Sequence, residues 1–251
     1  MNSKIPIKNA SEIANMRKSG QILAEALRAV CSAAKAGIST ADLDKIAEEV
    51  ILKAGGKPAF KGYHGFPATI CSAVNEIIVH GIPSPKQILR EGDLFTVDCG
   101  VIYNEMYSDA ARSIGIGVIS KEKNRLIETA KLALSRGIDA AQEGNYVGDI
   151  SRVIDQTINE AGFKVIHDLT GHGLGYTLHE PPIIANYWNG SKGPKLLAGM
   201  TIAIEPIFAV STHKMITLDD DWTIVTADNS CSVQEENTIL ITKNGPEVLT
   251  N

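Results

Sequence analysis

The chain repeats itself at a fixed interval, and that repeat constrains its fold more than any other feature. Residues 41–56 read ADLDKIAEEVILKAGG, and residues 148–163, displaced by 107 positions, read GDISRVIDQTINEAGF. Asp42 then meets Asp149, Ile51 meets Ile158, Ala54 meets Ala161 and Gly55 meets Gly162. Leu43/Ile150, Lys45/Arg152 and Ile46/Val153 are conservative pairs. The same displacement lays EGDLFTVDCG at 91–100 over AGMTIAIEPI at 198–207, matching Gly92 with Gly199 and Asp98 with Glu205. One similar pair of helices could arise by chance. A second segment at an unchanged displacement points to duplication. Two related halves facing each other would bring Asp98 and Glu205 to a shared interface.

Each repeated segment has the apolar spacing of an amphipathic helix, entered after a glycine (Gly37, Gly144) and closed by one, as helix ends prefer. Helices are predicted at about 10–35, 40–54, 121–141 and 147–161. Asn9 with Glu12 forms a capping-box pattern at the first. Strands are predicted at about 69–74, 94–102, 106–116, 164–170, 200–210, 222–227 and 231–242. Two helices followed by strands, twice over, predict an α+β fold of antiparallel sheet with helices on one face, not alternating βαβ units. No stretch rich in Gly, Ser or Pro separates the parts. The 251 residues therefore read as a single domain with halves at about 10–116 and 117–242.

The formal net charge of −5 offers no basic surplus to hold nucleic acid or an anionic membrane. No apolar run reaches the roughly 18 residues of a membrane helix, and the start lacks a signal-peptide core. Cys31, Cys71, Cys99 and Cys231 form no CxxC pair, so free thiols in a reducing cytoplasm are expected. The default oligomeric state is a monomer.

The candidate chemistry lies in acids and histidines. Strands 94–102 and 106–116 flank Tyr103-Asn104-Glu105. A two-residue loop at 103–104 would set Asp98 directly opposite Asp109, with Cβ atoms about 4.5–5.5 Å apart. Two like charges so placed destabilise the sheet unless something positive sits between them, as a divalent metal would; the alternative is that one acid is merely exposed and solvated. Glu205 ends an apolar strand, where an unpartnered carboxylate is costly. Glu235 and Glu236 are adjacent strand positions that point to opposite faces, so one faces the site and the other is expected to be a solvated surface charge. His172 stands between glycines in Thr170-Gly171-His172-Gly173-Leu174-Gly175, His179 follows in His179-Glu180-Pro181-Pro182, and His80 opens His80-Gly81-Ile82-Pro83. His167 and His213 have no supporting context. Four or five carboxylates with one imidazole suit Mn, Fe(II), Co or Zn. That many anions imply two divalent ions about 3.5–4 Å apart, able to hold and deprotonate a water for amide hydrolysis.

These residues resemble the type I methionine aminopeptidases, which have the pita-bread fold. The resemblance spans nearly the whole chain. It is strongest at Val74-Asn75-Glu76 through Pro83, Glu91-Gly92-Asp93-Leu94 through Asp98, Asp109-Ala110-Ala111-Arg112, Thr170 through Glu180, and Ala203-Ile204-Glu205-Pro206. It implies metal-dependent removal of the first methionine from peptides and nascent proteins, with preference for a small second residue. Asp98, Asp109, His172, Glu205 and Glu236 would be the metal ligands, Asp109 and Glu236 bridging. Glu236 is preferred over Glu235 because it lies two before Thr238. Glu205 would also shuttle the proton. His80 would contact the substrate amine or scissile amide, and His179 the carbonyl oxygen. Tyr63, Phe66, Cys71, Leu178 and Trp222 would line the methionine pocket. The sequence departs from relatives in having Glu235 at an apolar or aromatic position, Asn237 where histidine is frequent, Leu178 for an aromatic, and Phe60 for a smaller residue. The length argues against type II enzymes, with their extra insertion, and against prolidase-like relatives, with their extra N-terminal domain. A same-fold aminopeptidase of other specificity and a metal-free peptide-binding module are the competing readings.

Overall fold

A computed structural model describes residues 5–251. Four long helices form where the sequence predicts them: α1 Ala10–Ala33, α2 Thr40–Lys53, α3 Lys121–Ala140 and α4 Val147–Glu160. Local chemistry fixes their starts. The Asn9 side chain accepts the Ser11 and Glu12 N–H groups, and Glu12 accepts the Asn9 N–H at 2.7 Å, completing the capping box. Ser39 and Ser120 cap α2 and α3 in the simpler way, each accepting one N–H in the first turn.

The duplication is visible in the backbone. Paired glycines share their conformation: φ is 94° at both Gly37 and Gly144, 83° and 84° at Gly55 and Gly162, and 89° and 90° at Gly92 and Gly199. The isolated bridges Ser39–Ile88 and Tyr146–Lys195 are related by the same displacement. So are the short strands Lys57–Pro58 and Lys164–Val165.

In the first half, strand Leu94–Tyr103 runs antiparallel to Lys57–Pro58, Ile70–Val74 and Met106–Gly115. In the second, Thr201–Ile204 lies between Thr170–Gly173 and Asn237–Thr242, with Glu180–Ala185 and Gly245–Val248 at the edges, again all antiparallel. Each half has its own core. Leu23, Leu27, Leu43 and Ile51 from α1 and α2 pack on Phe95, Val97 and Val101. Leu126, Ala130, Ile150 and Ile154 from α3 and α4 pack on Ile202, Ile204 and Ile239. Each fully buried side chain of the Leu or Ile kind contributes about 1.5–3 kcal/mol. The result is an α+β pita-bread fold of two pseudo-symmetric halves.

The halves are stitched together behind the cleft. Thr238 Oγ1 accepts the Asp109 N–H at 2.9 Å and donates to the Asp109 carbonyl at 2.8 Å. The Arg112 guanidinium donates to the Ala111, Glu236 and Thr250 carbonyls and to Asn237 Oδ1. That leaves Asp109 and Glu236 side by side on opposite sides of the seam.

Three predicted strands are broken. The 164–170 strand splits into Lys164–Val165 and Thr170–Gly173. The 200–210 strand stops at Ile204 and resumes at Ile207, because Pro206 has no N–H to give the ladder. The 231–242 strand breaks at Glu235-Glu236, whose N–H groups turn to the Pro206 and Ala111 carbonyls. The hairpin register also differs. The turn is Asn104-Glu105, with φ of 46° and 63°, and Tyr103 pairs with Met106. Both turn residues are left-handed, as a type I′ hairpin requires, and asparagine tolerates that conformation. Moving the turn by one residue shifts each pairing by two. Asp98 therefore faces Ala111 and Asp109 faces Gly100, so the two acids are diagonal neighbours on one face. No described helix is long and apolar enough to cross a membrane.

Candidate metal centre and substrate cleft

A cavity of about 300 Å³ opens between the halves. The central strands place acids at its base. Asp98 and Asp109 come from the first hairpin, His172 from Thr170–Gly173, and Glu205 and Glu236 from the two strand breaks of the second half. Those breaks let carboxylates leave their ladders and turn inward. His172 reaches the base because its flanking glycines let the backbone sit close to both neighbours. A Cβ on Gly171 would lie 2.4 Å from the Ala203 carbonyl oxygen, and one on Gly173 would lie 2.2 Å from that of Pro181.

His172 Nε2 is 3.5 Å from Glu205 and 4.0 Å from Asp109. Its Nδ1 lies 2.9 Å from the Gly173 carbonyl. A carbonyl can only accept, so Nδ1 carries the proton and the Nε2 lone pair points at the acids. Burial, then the nearby His179, lowers the imidazole to about 4, so it is neutral at physiological pH. Burial raises Asp98 to about 7. Burial and the neighbouring carboxylates push Asp109, Glu205 and Glu236 well above the usual range. The protein supplies little to neutralise them. Gln234 Nε2 donates to Glu205 and Glu236, each at 3.3 Å. Buried oxygens of Asp98, Asp109 and Glu236 have no hydrogen-bond partner among the described residues. Donor atoms of Asp109, His172 and Glu236 lie within 4.8 Å of one another. Anionic oxygens and one imidazole lone pair, converging and unpartnered, fit a hard or borderline divalent cation.

Above the acids the wall is apolar. Phe66 and Trp222 meet edge to face at 5.1 Å, with Phe60, Cys71 and Leu178 in the same cluster and Tyr63 packed against it. His80, at φ 59°, sits 6.3 Å from the Trp222 ring, and burial and His179 lower its pKa. The His179 ring is 4.4 Å from that of His172, and its Nδ1 is 2.9 Å from the Tyr63 hydroxyl. Partial burial and His64 pull His179 below its ordinary value. All twelve residues singled out from the sequence line this one cavity.

Glu235 differs from expectation. It is only 3% exposed, not a solvated charge, and its carboxylate accepts the Ser113 N–H on the far side of the seam. Glu235 and Glu236 face different hollows from the break between two strands; the burial of Glu235 follows from α1 and α3 closing over its side, where Cys31 and Lys131 line the same hollow. Gln234, Asp168 and Thr170 also line the cleft and were missed. Gln234 was findable, since it lies two before Glu236 on the same side of an alternating segment. His167 and His213 stack at 5.8 Å and do not line the cleft.

A carboxylate-rich centre at the seam of a pita-bread fold defines a metal-dependent hydrolase class. Residues 14–243 match metallopeptidase family M24, and the chain belongs to that family. A methionine aminopeptidase of Clostridium acetobutylicum is 47% identical over 246 residues, covering 98% of both chains. The crystal structure of methionine aminopeptidase from Thermotoga maritima superposes with a TM-score of 0.97 at 40% identity, covering 99% of this chain and all of that one. Prolidase from Pyrococcus furiosus matches at a TM-score of 0.80 and 28% identity, but over only 65% of its own length. Membership of the family implies use of divalent metal, and the donor cluster is where it would be held.

Proposed function

We propose that this protein removes the N-terminal methionine from peptides and nascent proteins, preferring a small second residue. The observation that carries the reading is the joining, in one cleft, of five metal-type donors to an apolar and sulfur-lined wall. The full-length similarity to methionine aminopeptidases supports it. Residues 1–251 then act as one catalytic domain, with halves at about 10–116 and 117–242 that each supply part of the site.

Asp98, Asp109, His172, Glu205 and Glu236 would hold two divalent ions, of Co, Mn, Fe(II) or Zn. When bound, the metal supplies Lewis acidity, which generates a nucleophile from water near neutral pH. The chain's own groups do the rest. Gly173 fixes the His172 tautomer that leaves Nε2 free to coordinate. Glu205, held by Gln234, takes a proton from the water and delivers it to the departing amine. The Tyr63 hydroxyl and His179 Nδ1 share a hydrogen bond of 2.9 Å that orients the ring and leaves Nε2 to meet the carbonyl oxygen where negative charge develops. His80 meets the substrate amine or scissile amide. Phe66, Cys71, Leu178 and Trp222 enclose the thioether, whose polarizable sulfur packs well on aromatic edges. The reading takes the protein to be a cytoplasmic monomer whose partners are chain N-termini, with no nucleic acid or membrane.

Cleavage of otherwise identical peptides beginning with Met, Leu and Pro tests this. Selective release of methionine is expected. Preferential cleavage of the Leu or Pro peptide would assign another aminopeptidase specificity to the fold, and metal binding without cleavage of any peptide would assign a binding module.

A further inference from the structure

We propose that Lys8 is a positioning residue for His179, acting through a buried ion pair with Glu180. This rests on the reading of His179 as the group that meets the substrate carbonyl. The Lys8 side chain is 1% exposed and that of Glu180 6%, with Nζ and Oε2 2.7 Å apart. Glu180 is the residue next to His179 and the first of strand Glu180–Ala185. Its other oxygen accepts the Tyr176 and Thr177 N–H groups. Thr177 Oγ1 in turn donates to the His179 carbonyl at 3.0 Å. The whole loop from Gly175 to Glu180 is thus wound around one carboxylate, and Lys8 is the cation within hydrogen-bond reach of that carboxylate.

The loop is shaped to admit the lysine. Gly175 has φ of 144°, and a Cβ there would lie 2.3 Å from Lys8 Cε. The ammonium also lies 5.1 Å from the Tyr176 ring, and the Tyr176 hydroxyl donates to Glu12 at 2.8 Å. From the other side Lys8 is anchored through its backbone, donating to the Gly199 carbonyl at 2.9 Å, just before Asn9 caps α1. A segment ahead of the first helix therefore fixes a loop more than 160 residues away that carries both Leu178 and His179. None of these contacts involves the five metal-type donors. Losing the ammonium leaves a buried carboxylate uncompensated, so the loop must open to hydrate it. A shift of about 1 Å in a catalytic group can cost roughly 100-fold in rate.

The test is a double-mutant cycle on the metal-loaded enzyme, with kcat and KM on Met-Ala-Ser and metal affinity by calorimetry. Lys8→Met is expected to lower kcat about 10–100-fold, to move KM less, and to leave metal affinity unchanged. In a His179→Ala background the same substitution should cause no further loss. Should Lys8→Met fail to fold, Glu180→Gln keeps a carbonyl acceptor for the two N–H groups, removes the charge, and should give the same pattern. Arg17→Met, which breaks the exposed pair between Arg17 on α1 and Glu247 on strand Gly245–Val248, should leave kcat unchanged. Wild-type kcat in Lys8→Met, or losses that multiply in the two backgrounds, would overturn the proposal while leaving the role of His179 intact. Wild-type turnover in His179→Ala alone would overturn that role and the proposal with it.

Discussion

In the metal-free protein, replacing Asp98 by asparagine should raise stability, and by more as the pH rises. Asp98 sits in a buried cluster with Asp109, Glu205 and Glu236, and burial raises it from 3.8 to about 7. A folded-state pKa above the unfolded one means that the fold prefers the protonated acid. Stability from this group is complete below 3.8 and is lost as pH rises through 7. The full loss is ~4 kcal/mol. About 2 kcal/mol of it has been lost by pH 5, so the advantage of Asp98→Asn should widen by roughly 2–3 kcal/mol between pH 5 and pH 8. For a chain of this size that is roughly 5–10 °C in Tm. His172 acts in the opposite sense. Its imidazole is depressed to about 4, so it adds stability as pH rises from 4 to 6.5. It is common to both proteins, and the difference between them removes it. Any offset from the amide itself does not vary with pH. The assay is calorimetric unfolding of EDTA-stripped wild type and Asp98→Asn from pH 5 to 8, repeated with Mn(II). With metal the order should invert, because the carboxylate then has its counter-charge. A gap that stays constant with pH, or an order that metal leaves unchanged, would refute the reasoning.

His172→Ala removes the only imidazole of the cluster. Metal affinity measured by calorimetry should fall at least 100-fold and turnover should vanish; unchanged activity would remove His172 from the centre. Glu236→Gln should cut kcat at least 100-fold, whereas Glu235→Gln, which keeps an acceptor for the Ser113 N–H, should change stability by less than about 1 kcal/mol and leave kcat near wild type. The reverse order would exchange their roles. Tyr63→Phe deletes the hydrogen bond to His179 Nδ1 and should lower kcat about tenfold with KM nearly unchanged. An equal kcat would show that the hydroxyl does not orient the ring.

The readable parts of this molecule are those written in local pattern. Glycines at a constant displacement announced matching left-handed positions, and capping residues announced the helix starts. Asp98 and Asp109 were placed on one face even though the turn lies one residue later, because a shift of two keeps side-chain parity. What could not be read depends on contacts distant in sequence. The break at Glu235-Glu236 exists because the chain passes from one sheet to another there. Glu235 looks like a surface charge until α1 and α3 close over it. Lys8 looks like an ordinary lysine before a helix, and only its partner 172 residues away makes it buried.

The central claim is that this cleft uses metal to release a first methionine. The direct measurement is free methionine released from Met-Ala-Ser by purified protein, first with EDTA and then with Mn(II), Co(II) or Fe(II) restored. The account predicts no release with EDTA and full recovery with metal. Undiminished release in EDTA, or none with any metal from a folded protein, would contradict it.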